Sequence, residues 1–191
     1  MKKFKILIPV YNDWQSLSKL LNNINNEIEN LNHEISIIII DDASTFDRQL
    51  EIENLSNINS IKILSMKENR GHARCIAAGL KYIFDKEEFD YVIPMDGDGE
   101  DRPEEIIEFI KSSESAPEQT IVGERVKRSE AFIFKFCYFF HKIITLVFTG
   151  HSIKFGNFTC LTKSSVEKMI NEKATWNSFS GALTKVEKNK M

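Results

Sequence analysis

The feature that most constrains the fold is a series of short apolar runs separated by amphipathic stretches. The clearest run, ISIIII at residues 35–40, is almost wholly β-branched, as is typical of a strand that is covered on both faces. Apolar residues recur at helical spacing from Trp14 to Leu31 and from Ala73 to Phe84. Further strand-like runs lie at residues 4–10, around Ile61, at 91–95 and at 120–123. This alternation predicts an α/β fold with a doubly wound, mostly parallel sheet flanked by helices.

Polar residues follow the predicted strands at the point where each strand ends. The clusters are Tyr11 to Asp13, Asp41 with Asp42, Asn69 to Gly71, and an acidic run at 96–101. Doubly wound sheets bind ligands at the carboxyl ends of their strands. The four clusters therefore predict one binding site at that edge of the sheet.

The acidic run reads DGDGED and contains four carboxylates within six positions. Alternate residues of an extended segment point the same way, so Asp96, Asp98 and Glu100 are expected to converge on one ion. Mg²⁺ or Mn²⁺ suits a site that is made of a few carboxylates and completed by substrate phosphates. The alternative is a solvated acidic turn ahead of a helix that starts near Pro103.

Other sites that are rich in carboxylates or glycines do not match the chain. An EF-hand loop needs glycine at its sixth position and glutamate at its twelfth, where this chain has Asp101 and Ile107. Phosphatases with an aspartate nucleophile carry their D-x-D-G after the first strand rather than after the fourth. The glycine fingerprint of NAD-binding folds is absent after the first strand, which continues as PVYNDW.

Charge and cysteine content narrow the function further. A net charge of -3 argues against nucleic-acid binding that depends on bulk electrostatics. Cys75, Cys137 and Cys160 are far apart, which indicates neither a disulfide framework nor a zinc site. Together with an N-terminus that has no secretory signal pattern, this predicts a cytoplasmic protein.

Five segments of the chain together resemble the family 2 glycosyltransferases. They are ILIPVYNDWQSLSKLL, IIIIDDAST, ENRGHARCIAAGL, MDGDGEDRPEEI and VGERVKR, within residues 4–171. The chain is most similar to the branch of dolichyl- and polyprenyl-phosphate sugar transferases, and FGNF resembles bacterial glycosyltransferases of surface-polysaccharide type. The resemblance implies a GT-A fold, a nucleotide-sugar donor and inversion at the anomeric carbon.

The same resemblance implies a domain plan. Residues 1–171 would form the GT-A domain, with a donor half to about residue 123 and an acceptor part at 124–171. Residues 172–191 would be a polar tail, short relative to the family.

The resemblance also implies roles for single residues. Asp96, Asp98 and Glu100 would be metal ligands, with Glu100 where the branch often has glutamine. Asp98 would act in catalysis through the metal. The donor site would comprise Pro9, Tyr11, Asp13, Asp41, Asp42, Asn69, Gly71 and Asp96. His72 is either a donor-phosphate contact or a solvated histidine.

The basic residues after the predicted strand at 120–123 allow two interpretations. Arg125, Lys127 and Arg128 suit an anionic acceptor phosphate, with Arg125 as its candidate contact, or else form a solvated basic face. A catalytic base is not assigned, because Lys154 or Phe155 stands where related sequences often carry an acid.

Residues 131–150, AFIFKFCYFFHKIITLVFTG, are aromatic and apolar but too short and too often interrupted by charge to span a bilayer. Two interpretations remain, a buried helix pair or a segment in the membrane interface. The basic cluster before it favours peripheral contact with the cytoplasmic face of a membrane.

The expected function is therefore an inverting, metal-dependent transfer of sugar from a UDP- or GDP-sugar to a membrane-associated acceptor. That acceptor would be polyprenyl phosphate or a cell-surface glycan. Because the match thins after Met169, the alternative is a non-catalytic module that binds nucleotide-sugar but lacks the acceptor half, and we expect weak transfer by the 191 residues alone.

Overall fold

The computed structural model describes residues 1–50, 54–124 and 155–187. The described strands are β1 (Lys3–Val10), β2 (Glu34–Asp41), β3 (Ser60–Ser65), β4 (Tyr91–Pro94), β5 (Ile121–Glu124) and β6 (Phe155–Thr162). The described α-helices are α1 (Trp14–Glu27), α2 (His72–Lys86), α3 (Glu104–Ser115), α4 (Lys163–Asn171) and α5 (Phe179–Val186), and a short 3₁₀ helix spans Lys173–Trp176.

The six strands form one sheet in the order β3-β2-β1-β4-β6-β5. β1 pairs in parallel with β2 and with β4, and β2 pairs in parallel with β3. β6 runs antiparallel between β4 and β5. The predicted doubly wound, mostly parallel sheet is confirmed, whereas β6 was not predicted.

The two faces of the sheet are covered by different helices, as the β-branched runs predict. On β2, Ile37 and Ile39 pack in one core with side chains of α1 and α3. Ile38 and Ile40 point the other way and pack in a second core with α2, α4 and α5. These four isoleucines are at most 2% exposed.

The segment predicted as a polar tail is structured from residue 173 to residue 186. Phe179, Ala182 and Leu183 of α5 are at most 2% exposed and belong to the second core. The prediction missed this helix because its apolar stripe is short and lies among small and polar residues such as Ser180 and Thr184. The domain boundary at residue 171 remains a prediction.

The strand order reverses at β1 and β4, and the space outside the carboxyl ends of these two strands is called the crevice between β1 and β4. From β1 the chain builds outward through β2 to β3, and then returns to the other side of β1 with β4. Such a reversal of strand order is the usual ligand-binding position of an open α/β sheet.

Candidate functional site

The acidic turn after β4 is held directly against the end of β1. The Met95 N–H donates to the Leu7 carbonyl oxygen at 2.9 Å. A Cβ built on Gly97 would lie 2.9 Å from the carbonyl oxygen of Pro9, closer than real Cβ atoms come. The glycine of the D-G-D sequence therefore lets the turn approach β1 at the crevice, beside the predicted donor residue Pro9.

Asp96 is the centre of a polar cluster at this crevice. Its Oδ1 lies 2.8 Å from His72 Nε2, and Asn157 Nδ2 donates to the same oxygen at 3.4 Å. The Asp96 backbone N–H donates to Asp101 Oδ2 at 2.8 Å. These contacts join the start of α2, the turn after β4 and the first residues of β6.

The electrostatics of the cluster favour a positive charge on His72. The hydrogen bond to Asp96 raises the pKa of His72 above its ordinary value despite partial burial, and the Asp96, Asp101 and Asp98 charges act in the same direction. A quarter of the Asp96 side-chain surface remains exposed. The Asp96 carboxylate therefore has a histidine neighbour and is accessible from solvent.

Asp98 and Glu100 lie on the exposed part of the turn. The Glu100 backbone N–H donates to Asp98 Oδ1 at 2.8 Å, and Gly99 has a φ of 80° that favours glycine. Among the described residues, no three or more His, Cys, Asp or Glu side chains gather as ligands for a metal ion. The ligand set Asp96, Asp98 and Glu100 remains a prediction.

The two aspartates at the end of β2 are each only 4% exposed. Asp41 accepts hydrogen bonds from the Ser44 N–H at 2.8 Å and from Arg48 at 3.1 Å. Burial opposes ionisation of Asp41, but hydrogen bonds from Ser44, Arg48 and Ser65 lower its pKa overall. Asp42 instead binds the loop that precedes α2.

The residues after β1 form a turn that starts α1. Tyr11 is 47% exposed at the edge of the crevice. Asn12 has a φ of 59°, and its side-chain oxygen accepts the Thr45 N–H at 2.8 Å. The Asp13 side chain accepts the Ser16 N–H at 3.1 Å and so caps α1, which gives this predicted donor residue a structural role as well.

The structure brings together at one edge the predicted residues of the donor half, and it adds two that were not assigned to the site from the sequence. The sequence shows Asn157 only as part of the FGNF motif, and it allows two interpretations of His72. Their contact with Asp96 joins residues 24 and 61 positions apart in the chain, which local pattern does not reveal.

Arg125, Lys127 and Arg128 lie outside the described residues, as does the aromatic stretch at 131–150. The strand residues that flank this gap, Glu124 and Phe155, are register partners in β5 and β6. None of the helices within the described ranges has the length and apolar character needed to cross a membrane.

Comparison with known proteins decides the family. Residues 5–175 match the model of glycosyl transferase family 2. The chain belongs to this family. The family prediction is thus confirmed, together with the chain's place among glycosyltransferases.

A curated relative is the undecaprenyl-phosphate 4-deoxy-4-formamido-L-arabinose transferase of Proteus mirabilis (strain HI4320), 28% identical over 174 residues. The alignment covers 90% of this chain and 51% of the relative. The chain therefore spans about half the length of that enzyme.

Solved structures confirm the GT-A fold. Residues 1–349 of TarS from S. aureus, in complex with UDP-GlcNAc, match with a TM-score of 0.57 at 17% identity, over 86% of this chain and 46% of that one. The mannosyltransferase PcManGT from Pyrobaculum calidifontis, in complex with GDP-Man and Mn²⁺, matches with a TM-score of 0.56 at 15% identity, over 88% and 46%.

Proposed function

We propose that this family 2 member is an inverting, metal-dependent glycosyltransferase that moves a sugar from a UDP- or GDP-sugar to a membrane-associated acceptor. The observation that carries the proposal is the Asp96 cluster at the crevice between β1 and β4. A carboxylate that is part-exposed at a strand end, braced by His72 and Asn157, suits a site for a charged phosphate ligand and its cation.

The donor would lie along the carboxyl edge of β1, β2 and β4. Pro9 and Tyr11 border the nucleoside side, Asp13 starts α1, and Asn69 with Gly71 border the side of α2. Asp41 and Asp42 belong to the same edge, although both are nearly buried. That these two neighbours are solved in complex with UDP-GlcNAc and GDP-Man supports either nucleotide as the donor.

The chemistry of the acidic turn fits Mg²⁺ or Mn²⁺. Both ions prefer oxygen ligands, and Mg²⁺ is commonly held by one or two carboxylates plus substrate phosphates, so Asp96 and Asp98 would suffice with Glu100 as a further ligand. When bound, the ion stabilises the negative charge that develops on a diphosphate leaving group. The neighbouring solved mannosyltransferase contains Mn²⁺.

In the transfer step, an acceptor oxygen attacks the anomeric carbon from the face opposite the diphosphate. The carbon–oxygen bond to the diphosphate breaks, and the nucleoside diphosphate leaves with the bonding electrons. An ionised phosphate acceptor needs no strong base, whereas a sugar hydroxyl requires one. The name of the curated relative, an undecaprenyl-phosphate transferase, supports the lipid-phosphate acceptor.

Binding of the acceptor by Arg125, Lys127 and Arg128 and peripheral contact through residues 131–150 belong to this proposal. So does a location at the cytoplasmic face of a membrane. All three rest on the sequence, because these residues lie outside the described ranges.

Calorimetry with UDP and GDP tests the donor site, with Mn²⁺ or with EDTA. We expect binding that depends on metal, and we expect both Asp98→Ala and Asp98→Asn to abolish that dependence. Substitution of a residue that only hydrogen-bonds to a metal ligand typically lowers metal affinity about 10–100-fold. Loss of a ligand itself should lower it at least as much. Asp98→Asn tests the charge separately from the shape of the turn, because the asparagine oxygen can still accept the Glu100 N–H.

Asp85→Ala, at the far end of α2, should leave nucleotide binding unchanged. Equal affinity for nucleotide with and without Mn²⁺ would contradict the metal assignment. Incorporation of labelled sugar from UDP- or GDP-sugars, measured separately in the lipid and glycan fractions of membranes, distinguishes the two acceptors. Incorporation into neither fraction would contradict transfer by this chain.

A further inference from the structure

Both carboxylate oxygens of Asp42 accept hydrogen bonds from the loop before α2. Its Oδ1 accepts the Arg70 backbone N–H at 2.8 Å, and its Oδ2 accepts the Gly71 backbone N–H at 2.8 Å. The side chain is buried, with the residue only 4% exposed. Its carboxylate also lies beside the Cys75 thiol, whose pKa burial and a hydrogen bond to Asp42 raise to about 12.

These contacts hold the chain at the point where α2 begins. The helix begins at His72, and Gly71 before it has a φ of 85° and no side chain to cap the helix. Backbone N–H groups at a helix start have no partner within the helix, and the helix dipole favours a negative charge there. Asp42, which directly follows the neighbouring strand β2, accepts one such group, the Gly71 N–H, together with the Arg70 N–H before it, and places its carboxylate near the helix start.

The position of this loop matters because α2 starts at the Asp96 cluster. His72 follows Gly71 directly, and its Nε2 lies 2.8 Å from Asp96 Oδ1. Asn69, a predicted donor residue, is exposed immediately before the two amides that Asp42 binds. A shift of the loop would therefore move Asn69 and His72 together relative to Asp96.

We propose that Asp42 is a positioning residue that fixes the loop Asn69–Gly71 against the end of β2, and that it does not contact the nucleoside. This role rests on the proposed function, since it concerns the donor site. It differs from the contact with base or ribose that the family resemblance implies. Both oxygens of the carboxylate are already engaged, and almost none of the residue is accessible to a ligand.

The test is Asp42→Asn, with two measurements. Asparagine offers one acceptor oxygen, so one of the two backbone N–H groups would face an NH₂ donor. We expect amide hydrogen exchange at Arg70 and Gly71, followed by NMR, to become faster on the order of tenfold, as loss of a hydrogen bond to a charged acceptor predicts.

The second measurement is the affinity for UDP, GDP and CDP in the presence of Mn²⁺. A displaced loop acts on parts that all three nucleotides share, so we expect each affinity to fall by the same factor, within about twofold. A carboxylate that reads the base would instead change the preference among the three.

Asp85→Asn is the matched control, because it makes the same chemical change on the helix that the loop precedes, at a carboxylate that pairs with Lys81 on the surface. It should alter neither measurement. If Asp42→Asn does not fold, Asp42→Glu keeps the charge but lengthens a buried side chain, and the same two measurements apply with the same expectations.

Unchanged exchange at both amides overturns the proposal, and so does a changed preference among the nucleotides or an unchanged affinity for all three. If the unaltered chain binds none of the three nucleotides, the proposed function is wrong. The exchange measurement then still decides whether Asp42 holds the loop.

Discussion

At Gly97 the acidic turn comes so close to β1 that a single added methyl group does not fit. The built Cβ would lie 2.9 Å from the Pro9 carbonyl oxygen and 3.3 Å from the Ile8 side chain. The nearest obstacle is backbone, which cannot rotate away as a side chain can. The close approach of β1 and the turn that carries Asp96 and Asp98 therefore depends on this one residue.

Gly97→Ala is expected to destabilise the fold by about 1–3 kcal/mol, the usual cost of overpacking. It should also weaken metal-dependent nucleotide binding, because the turn must move away from β1. Urea unfolding and calorimetry measure the two effects. Gly99→Asn is the control: Gly99 has a φ of 80° and nothing within 4 Å of its built Cβ, and asparagine adopts this conformation more readily than most residues. Equal costs at the two positions would show that the contact with Pro9 is not the cause.

Asp96 and its neighbours show which parts of the site can be predicted from the sequence. Asp96 could be placed at a strand end because an apolar run precedes it and because D-x-D is a recognisable pattern. Its neighbours His72 and Asn157 could not be placed there, because tertiary packing alone brings α2 and β6 to it. Likewise, nothing local indicates that both Asp42 oxygens bind loop amides rather than a ligand.

Glu87 links the end of α2 to two strands through hydrogen bonds. This residue follows the helix directly and accepts hydrogen bonds from Lys5 of β1 at 3.1 Å and from Lys62 of β3 at 2.6 Å. Its side chain is 8% exposed. Burial opposes ionisation of Glu87, but the hydrogen bonds from Lys62 and Lys5 lower its pKa overall.

Glu87→Gln is expected to destabilise the fold at neutral pH. Removal of one partner of a fully buried ion pair costs about 3–5 kcal/mol. Because Lys62 is 47% exposed, we expect about 1.5–3 kcal/mol, the range for hydrogen bonds to charged groups. Asp85→Asn, which breaks the exposed pair with Lys81 on the same helix, should cost no more than about 0.5 kcal/mol.

The pH dependence of this difference follows from the lowered pKa. A carboxylate with a depressed pKa contributes stability above its unfolded-state pKa, about 4.3 for glutamate, and loses it as the pH falls through the folded-state value. The gap in unfolding free energy between wild type and Glu87→Gln should thus narrow below about pH 4. A gap that stays constant down to acid unfolding would assign the stabilisation to packing instead.

The strands and helices differ in how well the sequence predicts them. β1, β2 and β4 have strong local patterns, because both faces of these parallel strands are buried and their runs are mostly apolar. β6, by contrast, contains Gly156 and Asn157 and pairs with strands that lie far away in the chain, so its local pattern is weak. The helices after β6 are short, and only one side of each is buried.

The second core of the molecule depends on α5 as well as on α2. Leu183 and Phe179 of α5 are at most 2% exposed and pack in the same core as Val166 of α4. The polar composition of residues 172–191 hides this contribution, because three buried side chains suffice to anchor so short a helix. The family and the GT-A fold were nonetheless predictable, since motifs at four strand ends identify them independently of this segment.

Leu183→Ala is expected to cost about 2–5 kcal/mol in unfolding free energy, because the side chain is fully buried and its removal leaves a cavity. Lys185→Ala on the same helix removes only an exposed ion pair with Glu172 and should cost less than about 1 kcal/mol. Urea unfolding of the two variants measures the difference. At temperatures where Leu183→Ala remains folded, nucleotide affinity should equal that of wild type, because α5 contributes no residue to the crevice between β1 and β4. Equal unfolding free energies of the two variants would show that residues 179–186 do not contribute to the second core. A loss of affinity in the folded Leu183→Ala protein would instead show that the second core and the donor site are coupled.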